Sequence, residues 1–292
     1  MRAPRRGRGR AARAGAGGAG SGSGAGPEAG MAGRAAVAGA QRENRRRLCA
    51  ALRGLGADTP GFGGAAAVYN PLEYAWEVYA DYVGRFGGRR GVNLFVGMNP
   101  GPWGMAQTGV PFGLPRIVGP DGWLGCSGTV GRPEHEHPKR PILGFGCERD
   151  EVSGARVWGW AQERFKDPEN FFRGNFIENY CPLVFMSETG SNVVPEKLKA
   201  ADRRALLEAC DASTKELLRT LQPRRAIGVG KWAHQRLLKC AAELEEEGGP
   251  RIECGTVLHP SPASPAANRG GPRGWADQAE AQLRGMGVDL GD

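Results

Sequence analysis

What most constrains the fold of this chain is a recurring alternation of short apolar runs with stretches of helical spacing. The runs are "VNLFV" (Val92–Val96), "FIENYCPLVF" (Phe176–Phe185, broken at Pro182), "RAIGVG" (Arg225–Gly230) and "IECGTVL" (Ile252–Leu258). The first is β-branched or aromatic at most positions and has Gly on both sides, so it reads as a buried strand. Between the runs, "NPLEYAWEVYADYVGRF" places Leu72, Ala75, Trp76, Tyr79, Val83 and Phe86 on one helical stripe. "ARVWGWAQERF" is a short helix. A longer one from about Glu196 to Leu221 presents Leu206, Leu207, Leu217, Leu218 and Leu221. "KWAHQRLLKCAAELEEE" and the segment from Trp275 to Met286 complete the set. Strands alternating with helices predict an α/β fold in three layers, a mainly parallel four-stranded sheet flanked by helices. No internal repeat interrupts the pattern, and one domain over residues 45–292 accounts for it.

Charge is distributed unevenly. The chain of 292 residues has a formal net charge of +8. Residues 1–47 hold eleven Arg against two Glu, which leaves the remainder near −1. The basic balance therefore belongs to the N-terminal segment and does not make the body a broad cationic surface. Residues 1–44, rich in Arg, Gly and Ala and poor in apolar bulk, are expected to be a disordered tail. A nucleic-acid arm, an organelle-targeting segment and initiation at Met31 compete as accounts of it, beside a solvated tail with no essential role. No stretch is long and apolar enough to span a bilayer, so no membrane is expected. The seven cysteines stand singly, without a CxxC pair, which suits a reducing compartment and small core residues.

Two strand ends concentrate the chemistry. After Val96 the chain reads "GMNPGPWGMAQTGVPFG" (Gly97–Gly113), and after Leu258 it reads "HPSPASPAANRGGPRGW". In a parallel sheet both loops leave the same edge, where ligands bind, so Asn99 and His259 can converge. An Asn amide can orient a water without deprotonating it, and a neutral His can donate to developing negative charge. That pair suits a reaction whose leaving group departs as an anion. Taken singly, Asn99 before Pro reads as a turn former, His259 as a capping residue, Phe112 as core and Asn179 as a satisfied buried amide. "EHEH" (Glu134–His137) lacks metal-ligand spacing and reads as solvated loop. "GVGK" (Gly228–Lys231) lacks the first Gly and the Ser/Thr of a phosphate loop and reads as a strand-to-helix turn. No metal or cofactor is expected.

Together, "GMNPGPWGMAQTGVPFG" and "HPSP" followed by Asn, Gly and Trp resemble the single-strand-selective monofunctional branch of the uracil-DNA glycosylase superfamily, from about Asn70 to Met286. The resemblance implies roles position by position. Asn99 would hold the catalytic water and His259 would stabilise the departing base anion through its O2. Phe112 would stack on the flipped base, and Asn179 would read the N3–O4 edge and reject cytosine. Met98 would belong to the base pocket, and the backbone around Gly101 and Met105 would border the 5-position, where an oxidised substituent can replace a water. Pro260, Ser261, Pro262, Ala263, Ser264, Asn268 and Arg269 would form the loop that wedges into the base stack. Three departures stand out. Ala263 occupies the place of an expected Arg, leaving Arg269 or Arg273 to replace it. Trp103 stands for Phe, and "GLPRIVGPDGWLGC" after Phe112 is unlike the family pattern.

The implied activity is hydrolysis of the N-glycosidic bond of uracil and 5-oxidised uracils such as 5-hydroxymethyluracil, in single- and double-stranded DNA, leaving an abasic site. No Lys lies in either motif to form a Schiff base, so the reading is monofunctional. A monomer is expected, acting in the nucleus on uracil-containing DNA and passing its product to an abasic-site endonuclease. The rivals are a catalytically weak binding module for damaged or abasic DNA, a mismatch-directed thymine/uracil glycosylase, and an RNA-binding protein working through residues 1–47.

Overall fold

A computed structural model describes Met1 and residues 27–291 of the chain. Its first element is not a tail. Helix α1 (Pro27–Gly54) runs through residues 27–44, so the expected disordered segment is corrected there. Residues 2–26 of that segment lie outside the described residues. The physical reason is a stripe at helical spacing, Val37, Ala38, Gln41, Asn44, Arg45, Leu48, Cys49 and Leu52, all buried. Half of its N-terminal part is polar, which hides it from a composition argument. A strand, β1 (Ala67–Tyr69), follows. The helix expected over 70–86 is two, α2 (Pro71–Tyr74), capped by the Asn70 side chain, and α3 (Trp76–Phe86). They part at Ala75, whose φ of −121° and ψ of 29° leave the helical region.

Strand β2 (Asn93–Gly97) leads into the Gly/Pro segment, which holds the single-turn helices α4 (Met105–Thr108) and α5 (Pro115–Val118). Helices α6 (Val152–Phe165) and α7 (Pro168–Phe172) precede β3 (Asn175–Asn179). The apolar run expected as one strand to Phe185 divides, because Pro182 offers no N–H to a ladder. Its second half is β4 (Val184–Met186), which with β1 and β5 (Asn192–Val193) makes a small antiparallel sheet. A Pro195–Lys197 turn delays the next helix, α8, to Ala200–Leu221. Strand β6 (Arg225–Val229), α9 (Lys231–Glu246), β7 (Glu253–Val257) and α10 (Gly274–Gly285) complete the chain. "GVGK" is the β6-to-α9 turn.

The main sheet has the order β3-β2-β6-β7, parallel throughout. Leu94 stands between Phe176 and Ala226. On one face Phe95 packs on Trp160 of α6, and Trp160 meets Trp275 of α10 edge-on, with ring centroids 6.1 and 6.3 Å apart. On the other face α9 lies so close that a side chain at Gly228 would meet the His234 backbone at 2.3 Å. Helices α1, α3 and α8 extend that layer. The result is the expected three-layer α/β sheet, with four strand ends on one edge. The "EHEH" loop differs from expectation. His137 is buried, its N–H donates to the Tyr69 hydroxyl at 2.7 Å, and the Glu136 carboxylate accepts from the Ile142 amide at 2.8 Å. That loop is pinned onto β1.

Candidate active site

A cavity of about 540 Å³ opens at the carboxyl edge of the sheet, lined among others by Met98, Asn99, Gly101, Phe112, Asn179 and His259. Asn99 follows β2. Its amide nitrogen donates to the carbonyls of Pro100 and Leu183, each at 3.3 Å, so its amide oxygen is the atom left to accept from a water. His259 follows β7 by two residues. Its Nδ1 accepts the Ser261 amide at 3.1 Å, which places the proton of the neutral ring on Nε2. Burial lowers its pKa and so favours that neutral ring. The ring needs room beside β6: Gly230, with φ of 94°, would bring a Cβ to within 3.0 Å of the His259 Cβ. The site thus offers one acceptor for water and one uncharged N–H donor.

Phe112 and Asn179 form the opposite wall. Phe112 holds φ of 56°, a left-handed conformation unusual for a bulky residue. A side chain at Gly97 would lie 2.8 Å from the Phe112 ring and 2.2 Å from the Asn179 Oδ1. Glycine at 97 is what allows ring and amide to meet over the strand end. Asn179 is buried, its Nδ2 donates to the Met105 sulfur at 3.2 Å, and its Oδ1 has no partner. An unpaired buried acceptor beside an oriented amide N–H is suited to an N–H/C=O edge, the pattern uracil presents at N3 and O4. Met105 is therefore behind Asn179 as its support and does not line the cavity.

Glu151, Asn192 and Val194, which the sequence reading missed, complete the wall beside Trp103, which it had marked as standing for Phe. Glu151, the residue before α6, turns its carboxyl away from its own helix and over Gly101 and Gly104, where Cβ atoms would come within 2.0 and 2.7 Å of Oε2. Burial pushes this carboxyl up to about 7, with the Gly104 amide pulling it back, and Oε2 has no hydrogen-bond partner. Trp103 carries the Arg149 and Arg140 guanidinium groups at 4.6 and 5.3 Å from its ring. Asn192 of β5 and Val194, just after it, also line the cavity. Nothing in the sequence around "RDEVSG" marks Glu151, because its neighbours in space come from a loop fifty residues away.

The chain is 45% identical over 221 residues to the single-strand selective monofunctional uracil DNA glycosylase of Bos taurus, covering 76% of this chain and 78% of the bovine one. The Rattus norvegicus and Mus musculus proteins of that name are 43% and 42% identical over 246 residues, 84% of this chain and 84% and 83% of theirs. The chain belongs to the single-strand-selective monofunctional uracil-DNA glycosylase family. It is accordingly a DNA glycosylase, a hydrolase of N-glycosyl bonds. The crystal structure of wild-type SMUG2 from Pedobacter heparinus aligns with a TM-score of 0.53 at 17% identity, over 76% of this chain and 88% of that one. That likeness shows the shared α/β fold. No family model matches the chain.

In this glycosylase the loop after His259 is organised by one arginine. Arg156 of α6 donates to the Pro260 carbonyl and to the Asn268 Oδ1, each at 2.9 Å, and Asn268 donates to the Pro262 carbonyl at 2.8 Å. Ser261 Oγ accepts the Ala263 amide at 3.1 Å, and the Ser264 amide donates to the Ser261 carbonyl at 3.0 Å. Ser261 and Pro262 line the cavity while Ala263 is exposed. Of the two arginines available to replace a side chain at 263, Arg273 is held by Glu163, Asp277 and Glu280. Arg269 is exposed with no side-chain partner among the described residues.

Proposed function

We propose that the cavity receives a uracil base flipped out of DNA and hydrolyses its N-glycosidic bond, on single- and double-stranded substrates, leaving an abasic site. The observation that carries this reading is the convergence of Asn99, Phe112, Asn179 and His259 on one cavity from three strand ends and one glycine-rich loop. A base in a duplex is out of reach until it is extruded, at a cost of a few kcal/mol. Phe112 supplies the stacking surface for it. Asn179 pairs its Oδ1 with N3–H and its Nδ2 with O4, and cytosine presents the reverse pattern. The Asn99 amide oxygen accepts from a water aimed at the sugar C1′. As the C1′–N1 bond breaks, its electron pair stays with the base, the water oxygen bonds to C1′, and the proton the water gives up passes to the base, which leaves as neutral uracil. The His259 Nε2–H donates to the base O2, where one preorganised donor contributes roughly 3–4 kcal/mol. Among the described residues no lysine lines the cavity, which supports hydrolysis by water over Schiff-base chemistry.

The same reading extends to 5-oxidised uracils. Gly101 leaves the cavity without a side chain beside the Glu151 carboxyl, and a polar 5-substituent has a hydrogen-bonding partner there that a methyl group lacks. We place the enzyme in the nucleus as a monomer that hands its abasic product to an endonuclease, on the ground of its substrate. The test is base release from oligonucleotides carrying one uracil, 5-hydroxymethyluracil, thymine or cytosine, in single strands and duplexes. Release of the first two in both forms, and of neither normal base, is expected. Release of thymine, or binding of uracil DNA with no release, contradicts it.

A further inference from the structure

We infer that Arg45 and Glu178 are positioning residues for base selection, their buried ion pair fixing the backbone of Asn179 and with it the direction of its amide in the cavity. The inference rests on Asn179 reading the base edge. Both side chains are 2% exposed, and Arg45 Nη2 lies 2.9 Å from Glu178 Oε2. The same Nη2 donates to the Asn179 carbonyl at 2.9 Å, and Glu178 Oε2 accepts the Asn179 amide at 3.1 Å. The pair therefore holds both backbone polar groups of the reading residue.

The sheet explains why side chains do this work. Among the described residues β3 is an edge strand, paired with β2 alone. The Asn93 amide of β2 donates to the Gly174 carbonyl at 2.8 Å and the Tyr180 amide to the Gly97 carbonyl at 2.9 Å, so the even-numbered residues turn their backbone groups toward β2. Alternation then sends the backbone groups of Ile177 and Asn179 outward, where a further strand would satisfy them. None is present. The Tyr82 hydroxyl donates to the Ile177 carbonyl at 3.0 Å, and Arg45 and Glu178 serve Asn179.

Three helices converge on this point. Arg45 comes from α1, its Nη1 reaching Ser213 Oγ of α8 at 3.4 Å, and the Tyr79 hydroxyl of α3 donates to Glu178 Oε1. Burial by itself would lower the Arg45 pKa, but the Glu178 carboxylate and the Tyr79 hydroxyl together more than offset this and raise it above the ordinary value. A buried ion pair adds little net stability over apolar residues of similar volume. A pair kept at the residue that faces the base is better explained by geometry than by stability. Asn179 Oδ1 makes no protein hydrogen bond, so little besides the backbone and the Met105 sulfur sets its direction.

The experiment compares the intact chain with Arg45→Met/Glu178→Leu, Glu178→Gln and Asn179→Ala, and with the double variant combined with Asn179→Ala. Melting temperature and kcat/KM on a single-stranded uracil oligonucleotide are read for each. The double variant leaves the Asn179 backbone groups and the Tyr79 hydroxyl without partners, so it should melt several degrees below the parent while still folding, and should lose roughly tenfold or more in kcat/KM, a loss of the size that misplaced contacts far from the chemistry produce. Adding Asn179→Ala to it should cost no more than Asn179→Ala alone, because the network acts through that residue. If the double variant does not fold, Glu178→Gln keeps the volume and the bond from Tyr79 and should show the same non-additivity with Asn179→Ala. Parental kcat/KM in a folded network variant, or losses that multiply with that of Asn179→Ala, overturns the inference. Should Asn179→Ala itself leave uracil release unchanged, the base-edge reading fails, and the inference fails with it.

Discussion

Among single residues, the charge on Glu151 bears most directly on the chemistry. With its carboxyl pushed up to about 7 by burial, the group is neutral in mildly acid solution and ionised in alkaline solution. A carboxylate facing the same cavity as a departing base anion opposes that anion. The shift is also a statement about stability. The folded pKa lies above the ordinary 4.5, so the contribution is complete below about pH 4.5 and is lost as the pH rises through about 7, on the order of 3 kcal/mol in all. Glu151→Gln removes the titration while keeping the volume. Thermal melts should therefore show the variant more stable than the parent at pH 8 and no more stable at pH 5, and its rate of base release should decline less above pH 7. Parallel pH profiles for the two proteins would contradict this assignment. His259 differs from Glu151 in kind, because burial lowers its pKa and keeps it neutral. The sequence exposed His259 and Asn99 through the prolines that follow each, since a rigid turn directly after a strand is visible in one dimension. It did not expose Glu151, whose partners Gly101 and Gly104 are distant in the chain.

At the level of elements, the loop from His259 to Arg269 carries one of the three departures from the expected family pattern, Ala263 in the place of an expected Arg. Arg156 ties Pro260 and Asn268 together, so the loop is held at both ends while Ala263 stays exposed between them. A methyl group there cannot fill a gap in a base stack. Arg269 is the exposed cation close by, whereas Arg273 is engaged with three carboxylates. Arg269→Ala should lower uracil release from duplex DNA by roughly tenfold, about the worth of one charge-assisted contact, and leave single-stranded substrate nearly unchanged. Equal loss on both forms would assign Arg269 to general phosphate binding. Element boundaries were readable where an apolar period met a glycine or proline, as at β2, β6 and β7. They were misread where tertiary structure decided. Pro182 separates β3 from β4 and sends the chain into a second sheet, and Ala75 breaks a continuous apolar stripe into α2 and α3.

At the scale of the whole molecule, one layer was legible and its continuation was not. The three-layer α/β architecture follows from alternating strands and helices, and the converging strand ends follow from parallel order. Helix α1 does not follow, because Arg45 and Asn44 occupy its buried stripe, and it is partners across the fold, Glu178, the Asn179 carbonyl and Ser213, that make those positions tolerable. The charge argument shifts accordingly, since an Arg counted with the tail is part of the core. What the molecule does as a unit is bring the Asn99 acceptor from the end of β2 and the His259 donor from the end of β7 to one base. The most direct test is single-turnover release of uracil from a single-stranded oligonucleotide by the parent, Asn99→Ala and His259→Leu, with melting temperature as the control for folding. Loss of one preorganised donor predicts a decrease of roughly a hundredfold to a thousandfold for His259→Leu, with a comparable loss for Asn99→Ala and melting near that of the parent. Release within twofold of the parent by either folded variant would contradict the account.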